Sequence, residues 1–448
     1  MKKYRAIDMP LDFKFTIEGF SPEAQKQMKE FIDKAYSKGK WRATEQMYFN
    51  PKSTEFWAYY TQKAFNPLKE PMKGSQLKEK LAPFRKTNFD LAPKYFIPEN
   101  KYRISAVGDL MRGKHAAESK DRIYNAVDDL VFGADCIYGN LESTIAPGEP
   151  MGVAEGLKSG GTPSIGLTKE EYEGLTRHNG RKFDVLQLAN NHVMDNGQEG
   201  IELNMSVLNE DEISFTGVYE NASDAQEVTY TSHKGIKIGW VAHTFSVNFK
   251  PIPEGEPWLV DITSFCVEEN PDMSKIKQEI KQARQEGCDL VIVTPHWGAE
   301  WEFFPWPQQM DWAYQFAELG ADAVIGTHPH VIQPVEIYQP ESDPNKSVPI
   351  LYSLGNFIPT AGPAYTVLSL VANLTISRGR MNETDRTLIT ELEITPVAFM
   401  GEEEDEKVYA SVVPLAQLDQ MELDTETSQY VKEISTYADF VIGKDWRK

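Results

Sequence analysis

Cysteine is scarce. The 448 residues hold three, Cys136, Cys266 and Cys288, with no paired spacing. That excludes a disulfide framework and a zinc knuckle, and it fits a reducing compartment. Positive charge is short as well: 46 Lys and Arg stand against 67 Asp and Glu, a formal net charge of −21. A surface so acidic repels nucleic acid and anionic membrane, so neither is expected as a partner. The acidity is read as solubility. It leaves an anionic substrate open, because a bound metal ion can dominate the local field. Long apolar runs are missing too. No stretch approaches the ~18–20 residues that span a bilayer. The basic start Met1-Lys2-Lys3 leads into no apolar segment of the signal-peptide kind. The expectation is a protein without an integral membrane segment, cytoplasmic or peripheral at the envelope. No internal repeat or low-complexity segment is present.

What remains is an ordinary apolar content and enough chain for two or three units. Residues 1–100 are rich in Lys, Pro and aromatic side chains. Ser21-Pro22-Glu23 reads as an N-cap with proline at the first helical position, opening a helix to about Lys38. A second helical stretch covers 53–64, and prolines 67, 71, 83, 93 and 98 punctuate a loop-rich connection. No chemistry is read there; the segment is taken as packing or a lid. From Tyr102 strands (103–107, 135–139, 183–188, 213–218, 289–294, 321–325, 349–353) alternate with helices (121–132, 198–208, 274–286, 308–319), and 228–243 reads as a hairpin. The alternation argues an α/β fold. Apolar runs such as Leu290-Val291-Ile292-Val293 argue strands covered on both faces. After Tyr365 the pattern turns β-rich and ends in a helix near 425–440. That tail is expected to complete a second sheet, with the acidic run 402–406 as a solvated loop. The division expected is an N-terminal extension 1–100, a main domain 101–400 and a tail 401–448.

Metal-competent side chains gather where the expected strands end: Gly108-Asp109-Leu110-Met111, Asn140-Leu141-Glu142, Asn190-Asn191-His192 with Asp195, His296-Trp297-Gly298-Ala299-Glu300, Gly326-Thr327-His328-Pro329-His330 and Gly355-Asn356. Open α/β sheets bind ligands beyond the carboxyl ends of their strands. Taken singly, each piece has a structural reading as a turn, a cap or a hydrogen-bonded core residue. The His-x-His pair is the strongest. In extended backbone residues i and i+2 share a face, so His328 and His330 would aim at one point, and Gly326 would allow close backbone approach. Carboxylate, amide and imidazole together suit Mn, Fe, Zn or Mg, as one ion or two. Asp109, Glu142, Asn191, His296, His328 and His330 are the ligand candidates, with one carboxylate placed to bridge. His192 with Asp195 is the candidate general acid for a leaving group. Asn140, Glu300 and Asn356 are assigned to substrate. His243 stays open as a candidate, and His115, His178 and His233 are read as structural or surface residues. The aromatics of 299–307 either wall a cleft or form a buried cluster, and 147–166 is either a flap or a surface loop.

These motifs, in this order, resemble the poly-γ-glutamate capsule biosynthesis (CapA-type) family, which is itself similar to the calcineurin-like metallophosphoesterases. The resemblance covers about residues 102–360. It implies a four-layer α/β/β/α sandwich of the metallo-dependent phosphatase type, with the first hundred residues as a helical extension. It also implies a role in poly-γ-glutamate synthesis or export. Carried over, Asp109 matches the first metal carboxylate, Asn191 and His192 the Asn-His pair, His296 the middle histidine, and His328 and His330 the last pair. Two positions depart from the phosphoesterase pattern. Met111 stands where it has histidine. Asn140 stands where it has the bridging aspartate, with Glu142 two residues on. Two functions follow as expectations: a metal-dependent hydrolase of a phosphoester or γ-glutamyl amide, or a non-catalytic accessory protein. The expected partners are an anionic polymer or a small phosphoester, and a capsule synthase.

Overall fold

The structure, a computed structural model, describes residues 3–7, 9, 20–152 and 164–448. Local chemistry sets its first helices. Ser21 caps Pro22–Ser37 by accepting from the Ala24 amide, and Pro22 sits where no intrahelical donor is needed. Ser53 caps Thr54–Phe65 in the same way through Phe56. The two helices pack around Met28, Ala35, Ala58 and Tyr59. The proline-rich connection after them carries a short helix, Leu77–Leu81, and a strand, Asn88–Asp90.

The rest is a mixed α/β arrangement with two large sheets. In one, Ile97–Leu110, Cys136–Leu141, Val185–Gln187 and Ser214–Thr216 run parallel. In the other, Ile236–Thr244, Leu290–His296, Ala323–Ile325 and Val348–Leu351 run parallel between antiparallel edges Thr229–His233 and Val335–Tyr338. The sheets meet face to face. The rings of Tyr138 and Trp240 stack at 5.2 Å, and the Thr216 hydroxyl donates to the Trp240 carbonyl. Helix Ser274–Gln285 lies on Ile236–Thr244 and Leu290–His296, and Pro307–Glu318 lies on Ala323–Ile325.

Three expectations are corrected. The tail does not complete a second sheet: Leu368–Met381 and Thr384–Glu404 pair with each other, and the former pairs antiparallel with Ile97–Leu110. They take the edge of that strand which the parallel run leaves open, where unpaired backbone groups need partners. The acidic run is not a loop. Its glutamates 402–404 end the strand Thr384–Glu404, Asp405 and Glu406 turn the hairpin at positive φ, and buried Glu402 accepts from Arg122 at 2.9 Å. Only Asp128–Val131 of the expected 121–132 helix is helical. Upstream, i to i−3 turns such as Val127 N to Tyr124 O replace it. Of the loop 147–166, residues 153–163 lie outside the described residues.

Two glycines let the sheets converge at one end. A Cβ on Gly108 would lie 1.9 Å from the Gly355 carbonyl oxygen, and one on Gly326 would lie 2.1 Å from that of Tyr352. The chain leaves the second sheet through Val348–Leu351 and enters the first as Asn356–Ile358, paired with Ile97–Leu110. The carboxyl ends of both parallel runs are thereby joined.

Candidate metal centre

The first sheet delivers oxygen donors. Asp109 sits near the end of Ile97–Leu110, its amide donating to Gly355 O at 3.0 Å, and Glu142 follows Cys136–Leu141, its amide donating to Leu110 O. Both are wholly buried. Asn140 lies between them. Its Nδ2 donates to Asp109 Oδ1 at 2.8 Å and to Glu142 Oε2 at 3.4 Å, and its Oδ1 accepts from Asn190. Both ends of this buried amide meet protein partners. Asn191 presents Oδ1 to His296 Nε2 at 2.8 Å, and its Nδ2 donates to Asn248.

The second sheet delivers imidazoles. His296 ends Leu290–His296, with Nδ1 2.9 Å from the Thr327 hydroxyl. His328 and His330 do not share a strand face as expected. The strand stops at Ile325, and the two histidines have φ of 99° and 55°. They converge because left-handed turns either side of Pro329 fold the chain back, leaving the rings 5.7 Å apart. Each such backbone costs on the order of 1–3 kcal/mol, and strain of that kind clusters at functional sites. Asn356 serves His330. Its Nδ2 faces the carbonyls of His330 and Thr366, so its Oδ1 accepts from His330 Nδ1 at 2.8 Å. That places a proton on Nδ1 and leaves Nε2 3.6 Å from Glu142 Oε1. Asn356, assigned to substrate from sequence, is thus bound to the histidine.

Three overlapping groups have donor atoms within 4.8 Å of one another: Glu142, His296 and His328; Asp109, Glu142 and His330; Glu300, His328 and His330. Two ligands ~2.1 Å from one ion stand about 3.0–3.4 Å apart. The separations of 2.8 Å for Asn191 to His296 and 3.6 Å from Glu142 Oε1 to both His296 and His330 lie close to that range. Glu142 belongs to the first two groups, so it is the carboxylate placed to be shared. An imidazole reaches Asp109 although Met111 is buried apolar filling: His330 Nδ1 lies 3.3 Å from Asp109 Oδ2.

The electrostatics suit a bound cation. Glu142 Oε1 and His328 Nδ1 are buried without a hydrogen-bond partner. A buried polar atom left so costs about 1–3 kcal/mol, more if charged. Burial and the Asp109 charge push Glu142 well above the usual carboxylate range. Asp109 falls below it: burial opposes, but the His330 hydrogen bond and charge prevail. Burial pushes His296 down to about 3, and burial with the neighbouring imidazoles drives His328 well below its ordinary value. Both are neutral at pH 7, the form that ligates.

His192 stands beside the group. Its Nδ1 is 2.8 Å from Asp195 Oδ2, which also accepts from the Ile165 amide, while Lys250 lies 3.2 Å from Asp195 Oδ1. Glu300 accepts from the Tyr60 hydroxyl at 3.2 Å. Burial and the charge of Glu300 push the Tyr60 phenol well above its ordinary value, so it stays a donor. Tyr60 brings a side chain from residues 1–100 to Glu300; 240 positions away, it had no local signal. Asn248 and Lys250 were missed for the same reason. Thr327 and Asn190 were legible inside the motifs they belong to. Phe245, also missed, packs on His328 at 4.4 Å. Trp301, Phe303, Phe304 and Trp306 are all buried, a hydrophobic cluster rather than a cleft wall. His243 lies apart with Asp261 and Glu279. The Lys275 ammonium is bonded to Asp261 and stands 3.7 Å from Glu279, in the place a cation would take.

Comparison with known proteins follows the same strand ends. A capsule biosynthesis protein CapA of Bacillus anthracis is 29% identical over 276 residues, 60% of this chain and 62% of its own length. The chain thus spans less than two thirds of that relative. A PGA biosynthesis protein CapA of Bacillus subtilis is 28% identical over 303 residues, 65% of this chain and 71% of its own. A probable polyglutamine synthesis accessory protein of Mycobacterium tuberculosis is 26% identical over 180 residues, 39% of this chain and 44% of its own. Residues 103–361, more than half of the chain and every strand end named above, match one family throughout, and the chain belongs to it: the bacterial capsule synthesis protein PGA_cap family.

Proposed function

We propose that this protein works in the assembly or export of an anionic poly-γ-glutamate polymer as a metal-dependent hydrolase, cleaving a phosphoester or a γ-glutamyl amide. The observation that carries the reading is the pair of orphaned donors, Glu142 Oε1 and His328 Nδ1, buried among imidazoles and carboxylates. Asp109, Glu142, Asn191, His296, His328 and His330 would hold one or two ions of Mn, Fe, Zn or Mg, with Glu142 shared. Such ions supply Lewis acidity and make water a competent nucleophile near neutral pH. His192 holds Nδ1 against Asp195, so Nε2 is the ring atom that would pass a proton to a leaving group once the ring is doubly protonated. Asp195, held by Lys250 and the Ile165 amide, fixes the ring. Asn140 and Asn356 orient ligands. The four-layer sandwich and the division at residues 100 and 400 belong to the same proposal. So do the capsule synthase as partner and a cytoplasmic or peripheral location. Among the described residues no helix is long and apolar enough to cross a membrane.

A second reading, a non-catalytic accessory protein, is favoured by the depth of the centre. Even His330 and His192 expose only 11% and 7% of their side chains. Metal analysis of protein purified without chelator separates the two. The hydrolase reading expects at least one equivalent, lost in His328→Ala, with Mn-dependent cleavage of a generic phosphodiester or of oligo-γ-glutamate. Less than one equivalent, with neither substrate cleaved after Mn is added, leaves the accessory reading.

A further inference from the structure

Glu300 has a partner from outside the matched span of residues 103–361. The segment that supplies it is fastened to the 300–303 loop at several points. Leu68 N donates to Trp301 O at 2.8 Å, and Phe303 N donates to Leu68 O at 2.9 Å. Lys63 pairs with Glu302 at 2.6 Å, their side chains 4% and 1% exposed, and the Tyr59 hydroxyl donates to the same carboxylate oxygen. Between these fixed points the Tyr60 ring lies 4.7 Å from that of Trp301. Trp301 is itself in left-handed backbone, its amide bonded to Pro329 O between the two histidines. Helix Thr54–Phe65 is therefore rigidly placed, and Tyr60 with it. A phenol on one carboxylate oxygen sets the side-chain rotamer and leaves the second oxygen to a cation.

We propose that Tyr60 is a positioning residue that aims Glu300 at a divalent cation held with His328 and His330, so that the N-terminal extension completes the metal centre. The inference rests on the metal-binding reading above. Losing a partner that orients a ligand typically costs about 10–100-fold in metal affinity. A carboxylate on a loop, with no other orienting bond among the described residues, depends on that partner.

The test uses the full chain, stripped with chelator and titrated calorimetrically with Mn2+. Tyr60→Phe, confirmed folded by thermal unfolding without metal, is expected to weaken one binding event about tenfold. Glu300→Gln is expected to weaken it at least as much. The double variant should bind no worse than Glu300→Gln alone, because both changes remove one interaction. Tyr59→Phe loosens the neighbouring fastening to Glu302 and should leave the isotherm unchanged. An unchanged Tyr60→Phe isotherm overturns the positioning role. So do fully additive losses, or an equal loss in Tyr59→Phe. Each of those results leaves the ligand roles of Asp109, His296 and His328 standing. If the unaltered chain binds no Mn2+, the metal-binding reading fails and takes this inference with it.

Discussion

Asn140 shows how one atom decides the character of the centre. Its NH2 group donates to Asp109 and Glu142 where an aspartate would set a third negative charge beside them. Without a cation, like charges buried together cannot all ionise, and one carboxyl must take a proton. With a divalent ion, the same added carboxylate becomes a ligand. Asn140→Asp is therefore expected to lower the stability of the metal-free protein by roughly 1–3 kcal/mol. It should also enlarge the stabilisation that added Mn2+ or Zn2+ gives. Denaturant unfolding of both proteins in chelator and in metal measures the two effects. If Asn140→Asp is destabilised equally in both conditions, the amide is a core hydrogen-bonding group and no ion lies beside it. At this scale the residues of the candidate site were legible in the motifs, but their geometry was not. His328 and His330 meet through strained turns, which a two-residue spacing read as extended backbone does not reveal.

Elements are held to one another by buried charge, and two such joints are testable. Lys63 on helix Thr54–Phe65 meets Glu302 on the loop after Leu290–His296, with Trp306 Nε1 donating to the second carboxylate oxygen. Breaking a buried pair by neutralising one partner strands the other charge, at about 3–5 kcal/mol. Glu302→Gln should show that loss in equilibrium unfolding, and adding Lys63→Met should recover much of it. A loss no larger for Glu302→Gln than for the double variant would mean that Lys63 finds water once unpaired. The second joint ties Ile236–Thr244 to helix Ser274–Gln285. His243 Nε2 lies 2.7 Å from Glu279, its Nδ1 faces the Thr263 hydroxyl, and Asp261 and Lys275 complete the surroundings. Burial works against the charged imidazole, but the charges of Glu279 and Asp261 outweigh it and raise its value above 6.5. A raised value in the folded state stabilises the fold fully below the unfolded value and loses that contribution as pH climbs through the folded one. The stability gap between the unaltered protein and His243→Gln should accordingly be widest below about pH 6 and shrink as pH rises above it. A gap independent of pH would show that His243 is neutral throughout. The elements were read from their caps and apolar runs, as with Ser21 and Ser53. Which sheet the tail joins was not legible, because strand pairing is set by an open edge far away in sequence.

Across the whole molecule the donors divide by sheet. Asp109, Glu142 and Asn191 come from the strand ends of one, and His296, His328 and His330 from those of the other. Six strand ends were legible as one site because parallel strands deliver their carboxyl ends to one side. The hydrogen bond from Tyr60 to Glu300 was not, because a helix 240 residues away carries no periodicity that names its partner. An ion gripped by both sheets binds only when they are correctly apposed, so its binding energy adds to folding. At a free metal concentration one hundred times the dissociation constant, the gain is about 2.7 kcal/mol. Chelator should then lower the unfolding midpoint, and saturating metal should restore it. The strongest change in hydrogen exchange should fall on backbone near Asp109, Asn140, His296 and His330 rather than in the distal hairpin Leu368–Met381 and Thr384–Glu404. His328→Ala should already behave as the chelated protein does and respond to neither addition. If the unaltered chain shows the same midpoint in chelator and in metal, the two sheets are held by their apolar faces alone, and the donors at their ends do not share an ion.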